Sequence, residues 1–227
     1  MKISQEDVLQ FKHRYSDENK IIASIFRERL YDEFQEVILD VGAGIGDITS
    51  LALPAKKVIQ VDILDYAEYF LSERHCRLVI DFFDYVPNGG EKLGTLLFSH
   101  VLQFLDQDIH RLNNKVRDLS PDKVITVTNV NDGFMGELLN WVVHNFEYSN
   151  PEVDLPSFPV GFELTDEVRF RGQVSCRDYR SLGRQVGYLM DSYSSPSEEE
   201  ALESFLRENL DEPTFPINQR IRVYSRA

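Results

Sequence analysis

The sequence predicts an α/β chain built on a doubly wound, mostly parallel sheet, and three observations lead there. Short apolar runs suited to buried strands alternate with stretches of helical periodicity from Val37 to Thr128. The first run ends in an acid, Asp40, and opens into a turn with three alternating glycines, Gly42, Gly44 and Gly46. A second acid, Asp62, closes the next apolar run 22 residues after the first. Sheets of this kind bind ligands at the carboxyl ends of their strands, where both acids and the glycine turn fall.

Taken in order, Ser4 and Asp7 form a capping-box pattern ahead of a helix over about residues 5–14. A second helix begins after Ser16, with Ile21, Ile22, Ile25, Phe26 and Leu30 as its apolar stripe. Val37-Ile38-Leu39 is the first strand, and Asp47 is placed to cap the helix that follows the glycine turn. That helix carries Ile48, Leu51 and Ala52 and is cut short by Pro54. Val58 to Asp62 is the second strand and Leu78-Val79-Ile80 the third. Thr95 to Phe104 contains the fourth strand and its exit, Ile109 to Leu119 repeats at helical spacing, and Lys123 to Thr128 is the fifth strand.

Beyond it, Met135, Leu138, Leu139, Val142 and Val143 mark a helix, and Phe146 to Pro159 reads as a polar loop. Val168 to Val174 alternates as a strand, a helix covers about residues 178–190, and Ser195 caps another whose first turn holds Glu198, Glu199 and Glu200. Ile221-Arg222-Val223-Tyr224 is the last strand.

The 227 residues suffice for one sizeable core, and a single domain is expected: residues 1–34 as amino-terminal helices, 35–130 as the ligand-binding core and 131–227 as a substrate-side elaboration. The net charge of -14, from 24 basic and 38 acidic residues, opposes electrostatic capture of nucleic acid or an anionic membrane. The charge leaves a small molecule, a basic partner or a protein as the easier substrate; a small-molecule acceptor is the expectation, with a monomer or homodimer as the assembly. Cys76 and Cys176 lack metal-ligand spacing and read as reduced, buried thiols, which favours the cytoplasm. The first residues carry no apolar signal core, and nowhere do eighteen apolar residues run together.

The spacing of the glycines narrows the ligand. A dinucleotide site uses G-x-G-x-x-G, but this chain has G-x-G-x-G with Asp47 at the position of the last glycine, and a carboxylate at a helix start repels a pyrophosphate. No Gly-Lys-Ser/Thr follows, so the turn is not a P-loop. Asp40 suits a ligand with a positive group and no phosphate. The stretch from Val37 to Thr49 resembles motif I of the class I S-adenosylmethionine-dependent methyltransferases.

That resemblance implies a Rossmann-like, seven-stranded sheet with its last strand antiparallel, and an amino-terminal helical lid to which Phe11 and Tyr15 belong. It implies S-adenosylmethionine as cofactor, held by Asp40 and by the turn of Gly42, Ala43, Gly44 and Gly46. Asp62, followed by Ile63, stands where a ribose diol is held. Asp81 with Phe82 resembles the family's adenine motif, a carboxylate for the amino group beside a ring for the base, and Asp84 is the competing acid. Ser99 and His100 lie at the exit of the fourth strand, which in the family faces the transferable methyl. An imidazole there can take a proton from the acceptor.

The remaining histidines, His13, His75, His110 and His144, form no metal-ligand pattern and read as structural or solvated, so no metal is expected. No G-x-S-x-G elbow supports hydrolysis. The expected function is methyl transfer to a nitrogen or oxygen of a small molecule, such as a metabolite or natural product, or of an exposed peptide group. Its rivals are a non-catalytic scaffold or regulatory module of the same fold and, disfavoured by Asp47, an NAD(P)-dependent oxidoreductase.

Overall fold

The computed structural model describes residues 14–66, 75–90, 92–105, 108–146, 158–189 and 195–227. The helix expected over residues 5–14 lies outside them up to residue 13, as do Phe11 and most of the loop expected from Phe146 to Pro159.

Among the described residues one sheet holds seven strands: β1 Val37–Val41, β2 Lys57–Asp62, β3 Cys76–Val79, β4 Thr95–Ser99, β5 Lys123–Asn129, β6 Phe162–Ser175 and β7 Thr214–Arg226. Their order is β3-β2-β1-β4-β5-β7-β6, with β7 running against the other six. The order reverses direction after β1, between β1 and β4, which is where a doubly wound sheet opens a crevice for a ligand. The helices are α1 Glu18–Glu28, α2 Asp47–Ala52, α3 Leu102–Leu105, α4 Ile109–Leu119, α5 Gly133–Phe146, α6 Tyr179–Leu189 and α7 Pro196–Asn209.

The apolar runs are continuous because the central strands are covered on both faces. Ile59, Leu39, Leu96, Val124 and Tyr224 stand opposite one another across β2, β1, β4, β5 and β7. They share one core with Leu112, Val116 and Leu119 of α4. On the other face Ile38, Leu97, Ile125 and Val127 pack with Ile22 and Phe26 of α1 and with Ile48 and Ala52 of α2. Each such side chain, fully buried, contributes about 1.5–3 kcal/mol.

The chain divides into two compact units. Residues 22–129, 151–170 and 219–227 form one, with the two cores just described. Residues 1–21, 130–150 and 171–218 form the other. Its core gathers Leu138 and Val142 of α5, Leu182 and Val186 of α6, Leu202 and Leu206 of α7, and Phe215 and Ile217 of β7. The capping box at Ser195 is present: its hydroxyl accepts from the Glu198 amide at 3.4 Å, while the Glu198 carboxylate accepts from the Ser195 amide.

Three expectations are corrected. Asp47 does not cap α2; it is the first helical residue, and Gly46 occupies the cap position in a left-handed conformation with no side-chain bond. The third strand spans Cys76–Val79 rather than Leu78–Ile80, and its exposed ends and half-buried middle are those of an edge strand covered less fully than the centre. Cys76, lying on that edge, is exposed and not buried.

Candidate cofactor site

The glycine turn is shaped mainly by the protein's own side chains. Gly42 and Gly46 have φ of 66° and 73°, a region that costs a residue with a Cβ about 1–2 kcal/mol. Space decides as well. A Cβ on Gly42 would meet Val101 Cγ2 at 2.4 Å, and one on Gly46 would meet the Gln60 amide at 2.3 Å.

Beneath the turn lies a buried polar chain. The Thr49 hydroxyl donates to Asp40 Oδ2 at 2.8 Å. Gln60 Nε2 donates to Thr49 Oγ1 at 2.8 Å and to the Gly46 carbonyl at 3.3 Å. Asp40 is only 4% exposed, so its carboxylate binds the end of β1 to the first turn of α2 from inside. These bonds tie the underside of the loop to β1 and β2, while the buried Gln60 Oε1 has no hydrogen-bond partner among the described residues.

At the end of β2 the Asp62 carboxylate accepts from two backbone amides, Gly44 at 2.8 Å through Oδ2 and Leu64 at 2.9 Å through Oδ1. Each carboxylate oxygen has two lone pairs, so the group keeps acceptor capacity in a fixed orientation. Beside it Ile63 is 69% exposed, and Val79 at the end of β3 is also exposed; these are apolar surfaces at the strands' carboxyl ends.

After β3, Asp81 is exposed and caps a short 3₁₀ turn over Phe82–Asp84, with Oδ1 accepting from the Phe83 amide at 2.8 Å. Lys115 of α4 closes the far side of this turn, donating to the carbonyls of Phe83 at 2.9 Å and Tyr85 at 2.5 Å. Burial pushes the Lys115 ammonium below its ordinary range. Phe82 is a core residue: 4% exposed, it meets Phe98 edge-on at 5.5 Å and tilts against Phe83 at 5.5 Å. The stacking surface expected of its ring is therefore taken up by aromatic neighbours. Asp84 is exposed on the same turn.

Several solved structures share this fold. The YcgJ protein of Bacillus subtilis is 12% identical with a TM-score of 0.58, covering 92% of this chain and 98% of its own. A protein of Anaeromyxobacter dehalogenans, provisionally named a type II methyltransferase, is 14% identical with a TM-score of 0.59, covering 90% of this chain and 95% of its own. Geranyl diphosphate methyltransferase in complex with SAM is 13% identical with a TM-score of 0.51, covering 92% of this chain and 86% of its own. This chain has the class I methyltransferase fold. No protein-family model and no curated protein matches it.

In this methyltransferase fold the exit of β4 brings Ser99 and His100 to the carboxyl edge of the sheet. Ser99 Oγ is buried and has no hydrogen-bond partner among the described residues. His100 has φ of 53°; Ser120, the cap after α4, is the other left-handed residue with a side chain among the described residues. His100 donates its amide to the Val127 carbonyl at 3.0 Å, which anchors this backbone against β5. A left-handed backbone costs a residue with a Cβ about 1–2 kcal/mol.

Tyr15 belongs to the other unit, where it is partly buried against that unit's core with the Arg14 guanidinium 5.7 Å from its ring centre. Among the described residues no group of three or more His, Cys, Asp or Glu could hold a metal ion. No described helix is long and apolar enough to cross a membrane.

Four residues that shape these turns have no role assigned to them from the sequence: Thr49, Gln60, Arg77 and Lys115. Gln60 alone carried a signal, as a polar residue inside the apolar run Val58-Ile59-Gln60-Val61. The other three look like ordinary surface residues until the fold brings their partners to them.

Proposed function

We propose that the chain is an S-adenosylmethionine-dependent methyltransferase acting on a nitrogen or oxygen of a small molecule or an exposed peptide group. The observation that carries this reading is the Asp62 carboxylate, oriented by the amides of Gly44 and Leu64 at the mouth of the glycine turn. The residues fit the cofactor in three respects. Asp62 offers oriented acceptors to a ribose diol, the exposed Ile63 and Val79 offer apolar surface to a base, and Ser99 Oγ is a buried polar atom that needs a partner. Asp47, buried at the start of α2, opposes a pyrophosphate there and so disfavours NAD(P).

When bound, the cofactor supplies an electrophilic methyl group on a sulfonium. The chain's own residues supply position. Asp62 accepts from the ribose hydroxyls, Asp81 accepts from the adenine amino group, and the turn from Gly42 to Gly46 lets the backbone approach the amino-acid portion, with Asp40 fixing that turn from below. His100 takes the proton of an N–H or O–H acceptor onto its imidazole, and holding the two reactants together lowers the barrier by up to about 7–11 kcal/mol.

Fold alone does not establish the reaction. The same fold occurs in SpnF, described as a [4+2]-cyclase, which is 15% identical with a TM-score of 0.53 and covers 92% of this chain and 80% of its own. The deciding experiment is incubation with labelled S-adenosylmethionine and a panel of amines, phenols and carboxylates, followed by assay for S-adenosylhomocysteine. Product formation with one acceptor supports the proposal. Tight binding without product across the panel favours a non-catalytic module, and NAD binding tighter than S-adenosylhomocysteine overturns the cofactor assignment.

A further inference from the structure

Two side chains grip the same pair of backbone residues from opposite ends. Gly44 and Leu64 each give their N–H to the Asp62 carboxylate, at 2.8 and 2.9 Å. The same two residues each give their C=O to one guanidinium: Arg77 Nη1 donates to the Gly44 carbonyl at 2.8 Å and Nη2 to the Leu64 carbonyl at 3.3 Å. Arg77 comes from the edge strand β3, where it stands opposite Gln60 of β2. The ring of Tyr66, 4% exposed, lies with its centre 5.5 Å from the Arg77 guanidinium carbon and limits where that group can go.

We propose that Arg77 is a positioning residue for the cofactor, acting through Gly44 and Leu64 to hold the glycine turn and the Asp62 loop at the separation a nucleoside requires. The inference rests on the cofactor reading above. Its physical basis is the planar fork of the guanidinium, whose two terminal nitrogens reach two carbonyls on different loops at once, which a single ammonium point charge does not. Without it, Gly44 and Leu64 keep, among the described residues, only their bonds to Asp62, so binding a ligand must also order the turn, and that ordering entropy is subtracted from affinity. Nothing in this role touches the reacting atoms, so the effect falls on cofactor affinity and not on the chemical step.

The test is calorimetric titration of S-adenosylhomocysteine into the wild-type protein and into Arg77→Ala, Arg77→Gln and Arg77→Lys. Each variant is used at a temperature where circular dichroism shows it folded. We expect Kd to rise about tenfold or more in Arg77→Ala and Arg77→Gln, with Arg77→Lys between these and wild type, since each lost hydrogen bond to a charged group is worth about a factor of ten. Millimolar methylguanidinium restores affinity to Arg77→Ala but not to wild type or Arg77→Lys. Once an acceptor is known, KM for the cofactor rises while kcat stays within about threefold.

A lower melting temperature with unchanged Kd in the folded variants assigns Arg77 a merely structural part and overturns the proposal, leaving the cofactor reading intact. A wild-type protein that does not bind S-adenosylhomocysteine overturns both.

Discussion

A Cβ built on Gly46 would stand 2.3 Å from Gln60 Nε2, the atom that donates to the Gly46 carbonyl at 3.3 Å. The glycine therefore serves the protein's own amide, which in turn holds Thr49 and through it Asp40. Gly46→Ala should incur the left-handed penalty of about 1–2 kcal/mol and an overpacking cost of about 1–3 kcal/mol. Urea unfolding should register a loss of about 2–5 kcal/mol. Adding Gln60→Ala should remove the overlap but not the backbone strain, and an unchanged midpoint in the single variant would show that Gln60 swings aside freely.

The two acids proposed for the nucleoside should differ in weight. Asp62→Ala removes a charged acceptor for two hydroxyls, an expected loss of about 1.5–3 kcal/mol per hydrogen bond, or at least ten- to a hundred-fold in affinity. Asp81→Ala should cost about tenfold, because its ligand partner is a neutral amino group at an exposed edge. Titration with S-adenosylhomocysteine measures both, and negligible effects from both would place the nucleoside elsewhere.

His100→Ala tests the proposed base. Turnover should fall by about a hundred- to ten-thousand-fold while cofactor affinity stays within about threefold. A variant that keeps more than about a third of wild-type turnover from about pH 6 to 9 would remove His100 from the mechanism and leave positioning as the source of rate.

His75 makes stability depend on acidity. Burial holds its imidazole below the ordinary histidine range, so the folded chain refuses a proton that the unfolded chain accepts. The group has no effect on stability well above its unfolded pKa of about 6.5 and lowers stability as pH falls below that value, by at most about 1.4 kcal/mol per pH unit until the folded form also protonates. Denaturant midpoints between about pH 7.5 and 5 should fall less steeply in His75→Gln than in wild type. Parallel curves would show that His75 does not contribute to the slope.

The two thiols should react at very different rates. Cys76 is exposed, whereas burial, aided by Asp178, pushes the Cys176 thiol up to about 12. A thiolate is the reactive form, so a disulfide reagent near pH 8 should label Cys76 rapidly and the half-buried Cys176 far more slowly. Cys176 is half-buried rather than fully buried, and two equally fast equivalents in the native protein would contradict the raised pKa of its thiol.

The sequence by itself determined the architecture, because local chemistry dictates each of its parts. Runs such as Val37 to Val41 and Thr95 to Ser99 suit only strands covered on both faces, the helical stripe of Leu112, Val116 and Leu119 suits only a helix laid on them, and Ser195 with Glu198 announces its helix start. The glycine turn and its two strand-end acids were legible for the same reason: their spacing along the chain is their chemistry.

The tertiary structure decided which atoms face which. Phe82 reads as a ring free to stack, yet the fold brings Phe98 of β4 against it, because burying both rings outweighs leaving either in water. Asp47 reads as a cap, but the left-handed Gly46 takes that place and draws Asp47 into the helix. Arg77 carries no motif at all; only the pairing of β3 with β2 sets its guanidinium under two loops separated from it by 33 and 13 residues. Side-chain partners that distant in sequence leave no period or spacing to read, since the bond depends on register between strands and on neither residue's local surroundings.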